Sequence, residues 1–253
     1  MSHEVNSIAV IGAGTMGSGI ALIAATSGID AFQVDVSTDQ LDRAKAYHAK
    51  VLGRNVQKER MTQAEMDAAL ARISYVGDMA DAKVADWAVE AATENPEVKA
   101  KIFQSMRATF PEHAVLATNT SSISITRIAT ATGDAADRVV GMHFFNPVPV
   151  MKLVEVIKGL ATSDETVART VALAERMGKT PIPANDRAGF VSNRVLMPMI
   201  NEAFLAWMEG VAEPEAIDDI MKLGCNFPMG PLRLADFIGL DVCHDIMMVL
   251  YRE

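Results

Sequence analysis

Short apolar runs rich in β-branched residues recur along the chain as far as residue 186, at positions 7–11, 31–36, 86–91, 114–117, 138–144, 153–157 and 180–184. Runs of this length with few polar interruptions predict strands buried on both faces. Stretches with helical periodicity alternate with them. Residues 18–27 end at Gly28 and residues 38–59 form a long helix. Thr62-Gln63-Ala64-Glu65 is a capping box opening a helix to about residue 71. Pro96 suits the first turn of a helix over 96–108, and Thr162-Ser163-Asp164-Glu165 opens one that runs to Met177 and stops at Gly178. Strand–helix alternation of this kind predicts an α/β fold with a mostly parallel sheet. The two helices over 38–71 read as a helical hairpin inserted between the second and third strands. After residue 186 alternation ceases. Only helical patterns follow, over 189–209, 214–223 and from 231 onward with an interruption at Gly239. The expected organisation is therefore one domain over 1–186 and a smaller all-α domain over 187–253. The second segment carries Leu196, Met197, Met199, Ile200, Phe204 and Trp207, more apolar surface than so short a bundle hides by itself, which predicts a homodimer through it. Tyr251-Arg252-Glu253 has no helix stop, so the helical domain is expected to be cut short there.

The first turn of the pattern carries chemistry. The strand 7–11 runs straight into Gly12-Ala13-Gly14-Thr15-Met16-Gly17, then a helix, then a second strand ending at Asp35. Gly12 makes the tight turn, Gly14 admits a pyrophosphate to the backbone, and Gly17 lets helix and strand pack closely. The helix start offers N–H groups and the positive dipole end to phosphate, and Thr15 and Met16, in the turn before it, are expected at the cofactor with the glycines. Asp35 lies 18 residues after Gly17, where a carboxylate binds ribose hydroxyls and repels the extra phosphate of NADP. A Rossmann-type domain binding NAD is the expectation.

A second polar stretch is Gly141-Met142-His143-Phe144-Phe145-Asn146-Pro147, continuing to Glu155. Histidine exchanges protons near neutral pH, and a carboxylate on its far nitrogen fixes its tautomer. Pro147 and Pro149 forbid a regular helix between the two residues, so a hairpin-like return would bring Glu155 beside His143. A core histidine with an unrelated surface glutamate is an equal reading of this stretch alone. The cluster Thr118-Asn119-Thr120-Ser121-Ser122 tips the balance, because it ends the strand 114–117 as His143 ends the strand 138–144. Both lie at the carboxyl edge of the sheet, where open α/β folds bind ligands.

Composition narrows the classes. Charged residues make up 22% and the net charge is −9, which argues against a nucleic-acid partner. No apolar run approaches the length of a membrane span, and residues 1–6 show no secretory leader. Two cysteines, Cys225 and Cys243, are too few for a disulfide framework and fit a cytoplasmic protein. No metal is expected. Arg54, Lys58 and Arg60 lie near the tip of the inserted hairpin, and charge alone favours a solvated face there.

Gly12 through Ala21, Asn119-Thr120-Ser121-Ser122-Ile123-Ser124, His143-Phe144-Phe145-Asn146-Pro147 and Met221-Lys222-Leu223-Gly224 through Pro228-Met229-Gly230-Pro231 occur in this order. With these motifs the sequence resembles the L-3-hydroxyacyl-CoA dehydrogenases, the bacterial 3-hydroxybutyryl-CoA group in particular, over essentially the whole chain. The resemblance implies a Rossmann-type domain joined to a helical dimerisation domain and the NAD-dependent interconversion of 3-hydroxyacyl-CoA and 3-ketoacyl-CoA. It implies His143 as catalytic base, Glu155 as its orienting partner, and Ser121 and Asn193 as groups that position the substrate. It implies that Asp35, Glu94, Lys99, Ser121 and Asn146 line the NAD site with the glycine loop, and that Arg54 and Lys58 hold the coenzyme A moiety, against the solvated-face reading. Departures are Ala188 where the family usually has proline, Phe227 where histidine is frequent, and an expected missing tail. A related class acting on free 3-hydroxy acids uses a lysine four residues before the asparagine. That position is Gly189 here, which counts against it.

Overall fold

The computed structural model describes residues 4–252. The chain divides into two compact units, Met1–Asp186 and Arg187–Glu253.

In the first unit one eight-stranded sheet has the order β3-β2-β1-β4-β5-β6-β7-β8. Its strands are β1 (Ser7–Ile11), β2 (Asp30–Val34), β3 (Ile73–Val76), β4 (Trp87–Glu90), β5 (Val115–Thr118), β6 (Val139–Phe144), β7 (Leu153–Lys158) and β8 (Thr180–Asn185). All neighbours pair in parallel except β6 and β7, which are antiparallel. Parallel pairing needs crossovers, and helices α1 (Thr15–Thr26), α2 (Thr38–Gln57), α3 (Gln63–Ala71), α4 (Pro96–Thr109), α5 (Ile125–Ala129) and α6 (Asp164–Arg176) lie in them or at the β5–β6 and β7–β8 connections. The apolar runs are buried on both faces: Ile8, Val10, Trp87, Val89, Val115, Ala117, Val140 and Met142 share the core on one, and Ala9, Ala88, Leu116 and Val139 are buried on the other.

Three features differ from the sequence reading. β3 gave no apolar run, because it is four residues long and only Ile73 in it is buried, Ser74 being exposed and Tyr75 and Val76 half-buried beside β2. The helical hairpin α2–α3 is thus the β2–β3 crossover, seated on α1 through Leu22, Leu52 and Ala69. α1 begins at Thr15, inside the glycine motif rather than after it. The helix expected near Ser122 begins at Ile125, with Ser124 as its N-cap, so residues 119–123 form a loop at the sheet edge.

β8 is the outer strand, and Pro181 and Pro183 withhold N–H groups that an edge strand would otherwise offer to another chain.

The second unit is all helical: α7 (Ser192–Met208), α8 (Pro214–Cys225), α9 (Pro231–Ile238) and α10 (Leu240–Arg252). Met197, Ile200, Ala235, Cys243 and Ile246 form its main core, and Ala203, Ile217 and Leu232 a smaller one. Gly239 separates α9 from α10 with φ +104°, a conformation that L side chains rarely adopt. Trp207, Met208, Leu223 and Phe237 are exposed. Among the described residues no helix is long and apolar enough to cross a membrane.

Candidate functional site

The carboxyl ends of β1, β4, β5 and β6 form one edge of the first unit, and three groups of residues gather there. At the first, the β1–α1 turn closes on itself. Gly12 has φ +104°, and a Cβ on it would lie 2.7 Å from the Ala91 carbonyl oxygen. A Cβ on Gly17 would lie 1.9 Å from the Gly12 carbonyl oxygen, whereas one on Gly14 would meet nothing within 4 Å. Two glycines thus close the turn and the third leaves its outer side open for a ligand. Thr15 is exposed and Met16 half-buried in the first turn of α1. Alone among α1 to α6, α1 has no side-chain cap at its N-terminus; Ser37, Thr62, Asn95, Ser124 and Ser163 cap the others. It also carries no acidic residue in that turn, so its positive end is left for an anion. The Asp35 carboxylate accepts from the Ala13 N–H at 2.8 Å and from the Ser37 N–H at 2.9 Å, which fixes the acid beside the turn. These features fit a dinucleotide: an open glycine, an uncapped helix start and an oriented acid. A cleft of about 400 Å³ lies between the turn and α2, lined by Gly14, Thr15, Ser18, Arg43 and Tyr47 among others.

Side chains beneath the turn do work that sequence patterns did not reveal. Gln33, wholly buried in β2, donates to the Gly12 carbonyl at 2.8 Å. His48 of α2 is also wholly buried, with Nε2 at 2.8 Å from the Ser18 carbonyl and Nδ1 at 2.7 Å from the Tyr75 hydroxyl. Burial pushes the His48 pKa below the ordinary value, partly offset by the Ser18 carbonyl, and burial pushes the Tyr75 hydroxyl up to about 12.

The second group joins β4 to β5. Glu94, on the exposed loop after β4, accepts from the Ser121 N–H at 2.9 Å, the Ser121 hydroxyl at 3.3 Å and the Thr120 hydroxyl at 2.7 Å. The acid and the serine singled out from the sequence are therefore in direct contact. Lys99 is buried, its ammonium against Glu90 and 3.9 Å from Glu94.

The third is the β6–β7 pair. His143 and Glu155 stand directly opposite in the antiparallel register. Glu155 Oε2 accepts from His143 Nδ1 at 2.8 Å, and both residues are buried. A carboxylate only accepts, so Nδ1 carries the proton of this bond. The Phe145 ring lies 4.6 Å from the imidazole, centroid to centroid. Asn119 at the end of β5 accepts from the Phe144 N–H at 2.9 Å, extending the β5–β6 ladder to the residue after the histidine. Lys179 donates from below to the Val148 and Met151 carbonyls of the β6–β7 turn. Val148 in turn packs against Gly19 of α1, where a Cβ would lie 2.7 Å from its own. Asn146 is exposed in that turn. Asn119 stood in a sequence motif without a role of its own, and Lys179 carried no motif; one polar residue in a polar cluster and one helix-end lysine look like surface positions.

Arg54 and Lys58 are exposed at the carboxyl end of α2. Asn193 is in the first turn of α7 in the second unit. Among the described residues no cluster of histidine, cysteine and acids suits a metal ion.

Comparison with known proteins gives these groups a family. Residues 7–187 match the 3-hydroxyacyl-CoA dehydrogenase NAD binding domain, and residues 189–253 match the C-terminal domain of the same family. A probable 3-hydroxybutyryl-CoA dehydrogenase of Bacillus subtilis is 52% identical over 248 residues, covering 98% of this chain and 86% of that protein. The 3-hydroxybutyryl-CoA dehydrogenase of Bradyrhizobium diazoefficiens is 46% identical over 252 residues, covering 86% of its own length. The crystal structure of (S)-3-hydroxybutyryl-CoA dehydrogenase from Ralstonia eutropha superposes with a TM-score of 0.96 at 50% identity, covering 99% of this chain and 88% of that one. With both domains matched in order, the chain belongs to the 3-hydroxyacyl-CoA dehydrogenase family.

Proposed function

We propose that this chain oxidises (S)-3-hydroxyacyl-CoA, with 3-hydroxybutyryl-CoA as its substrate, to the 3-ketoacyl thioester with NAD, and catalyses the reverse reduction of acetoacetyl-CoA with NADH. One observation carries the reading: a buried imidazole held by a buried carboxylate at 2.8 Å, on the sheet edge that also bears the glycine turn. His143 Nε2 takes the proton of the substrate hydroxyl. NAD, when bound, supplies the acceptor for the hydride that leaves the same carbon. Glu155 holds the tautomer and lowers the energy of the imidazolium as it forms. The Ser121 hydroxyl and the Asn193 amide are assigned to hold the substrate oxygen as its charge changes. In the reduction the roles reverse, and the imidazolium returns the proton to the oxygen of the ketone.

Gly12, Gly14, Gly17, Thr15 and Met16 are assigned to the pyrophosphate, Asp35 to the adenosine ribose, and Glu94, Lys99, Ser121 and Asn146 to the nicotinamide end. Arg54 and Lys58 are assigned to the phosphates of coenzyme A. On α2 the sequence Arg43, Tyr47, Lys50, Arg54, Lys58 steps by three or four residues and so forms one stripe. Its opposite face, Leu41, Ala44, His48 and Leu52, is the buried one. A basic stripe on a chain of net charge −9 is a local attraction for an anionic tail.

Residues 1–186 then form the cofactor domain and 187–253 the substrate and dimerisation domain. The exposed Trp207, Met208, Leu223 and Phe237 support a homodimer, and a concentration-independent monomer mass by light scattering contradicts it. A cytoplasmic location goes with free Cys225 and Cys243.

Steady-state assay of NADH oxidation with acetoacetyl-CoA, beside the same assay with acetoacetate, decides the matter. Turnover of the thioester at far lower concentration than the free acid is expected. Preference for the free acid assigns the chain to the dehydrogenases of free 3-hydroxy acids, and NADH binding without turnover leaves a dinucleotide-binding protein.

A further inference from the structure

Proton transfer at His143 makes no use of the carboxylate that ends β4. Glu90 is 0% exposed and holds both loops of the β4–β5 edge from beneath. Its Oε1 accepts from the N–H groups of Ala92 at 2.9 Å and Thr93 at 3.2 Å. Its Oε2 accepts from the Thr118 hydroxyl at 2.8 Å and from the Lys99 ammonium. The Thr118 oxygen also accepts from the Thr120 N–H at 3.2 Å and from Lys99 at 3.3 Å. Above this layer, Glu94 ties the same two loops through Thr120 and Ser121. The side chain of Lys99 is 1% exposed and that of Glu94 is 49% exposed. One ammonium is thus shared unevenly: in contact with the buried acid, 3.9 Å from the outer one.

A buried ion pair adds little net stability, because desolvating two charges offsets their attraction. Removing one member is different, since the other is left charged in a place without water. We propose that Glu90 is a positioning residue, which by holding Lys99 below the β4–α4 loop sets how far Glu94 is drawn inward and so fixes Glu94 and Ser121. The proposal rests on the assignment above of these two residues to the nicotinamide end and the substrate. Without the Glu90 charge, Glu94 is the only carboxylate within ion-pair reach of Lys99 among the described residues. The ammonium then pulls Glu94 off the Ser121 N–H and hydroxyl, and the two loops lose their register.

Glu90→Gln keeps the size of the side chain and an acceptor for the Ala92 and Thr93 N–H groups, and puts an uncharged amide donor where Oε2 accepts from Lys99 and Thr118. Its Kd for NADH, read by fluorescence titration of the full chain, is expected to rise about tenfold, the effect of losing one charge-assisted hydrogen bond. The KM for NADH should rise in step, while kcat with acetoacetyl-CoA changes by less. Glu90→Asp, which keeps the charge but draws it one methylene back from Lys99, should recover most of the loss and still raise Kd measurably, to about threefold above the parent. A lowered Tm in Glu90→Gln with Kd and KM for NADH unchanged means that Glu90 serves stability alone and overturns the proposal; so does an equal loss in both variants. If Glu90→Gln fails to fold, Glu90→Asp decides: a rise in Kd supports the proposal and an unchanged Kd overturns it. NADH binding is read without turnover. A parent chain that binds NADH but leaves acetoacetyl-CoA unreduced therefore refutes the proposed reaction and leaves this test standing.

Discussion

Two sites on one sheet edge are built by opposite means. The β1–α1 turn is almost wholly backbone: its shape comes from side chains that are missing at Gly12 and Gly17, and its charge from an uncapped helix start. The β6–β7 site is almost wholly side chain: an imidazole and a carboxylate meet because two strands pair in one register. A backbone site tolerates few changes of shape but contributes no group that titrates. A side-chain site keeps its fold when one group is swapped for a near-isostere, and loses its chemistry. The two sites should therefore fail differently, the first through binding and folding, the second through turnover.

The largest effect is expected at the second site. His143→Gln keeps a side chain that can accept and donate but cannot hold a proton at neutral pH. The turnover of acetoacetyl-CoA should fall by roughly a hundred- to ten-thousand-fold, the usual contribution of a general base. NADH binding by fluorescence titration should stay near that of the parent, because no glycine-turn contact is touched. A parallel loss of NADH affinity breaks the contrast between the two sites, and near-normal turnover removes His143 from the reaction.

Gly17→Ala tests the backbone site. Its new methyl would lie 1.9 Å from the Gly12 carbonyl oxygen, a backbone atom with no side-chain freedom to give way. The turn must open, at a cost of about 1–3 kcal/mol for overpacking of this kind. Thermal unfolding should show a lower Tm, and NADH affinity should fall with it. Gly14→Ala, where the added methyl meets nothing, should leave Tm unchanged and affect only ligand binding. If Gly17→Ala and Gly14→Ala behave alike, close packing is not what Gly17 provides.

The same contrast explains what the sequence revealed. The glycine turn is contiguous, so strand, glycines, helix and acid are legible within thirty or so residues. The His143–Glu155 contact is twelve residues apart and became legible only because Pro147 and Pro149 force a return between two apolar runs. Beyond that the signal fades for physical reasons. β3 is short and half exposed, so it has neither an apolar run nor clean alternation. Gln33, His48, Asn119 and Lys179 act through hydrogen bonds to backbone atoms of distant elements, and single polar residues leave no periodicity to read. The roles given to Arg54, Lys58 and Asn193 came from resemblance, and nothing in local spacing would have chosen them.

The smallest expected effect lies under the backbone site, where one titrating group does occur. His48 Nε2 faces the Ser18 carbonyl and so carries the proton, leaving Nδ1 to accept from the Tyr75 hydroxyl. Burial opposes the charged imidazolium, only partly offset by the Ser18 carbonyl, so the His48 pKa lies below the ordinary 6.5. The unfolded chain therefore takes up a proton near pH 6.5 that the folded chain refuses, and the folded state loses stability as pH falls below that value. The Lys45 ammonium, 5.9 Å from the centre of the Tyr75 ring, adds a like charge on the same side and does not relieve it. His48→Gln removes the titration while keeping a donor for Ser18 and an acceptor for Tyr75. Between pH 7.5 and 5.5 the Tm of the parent should fall more steeply than that of the variant, other histidines and acids being common to both. Ser18 also donates to the Ala13 carbonyl at 3.0 Å, so the loosening should reach the glycine turn and weaken NADH binding at the acid end of the range. Equal slopes of Tm against pH in parent and variant would show that the buried imidazole is no part of the pH response, and that the turn depends on backbone geometry alone.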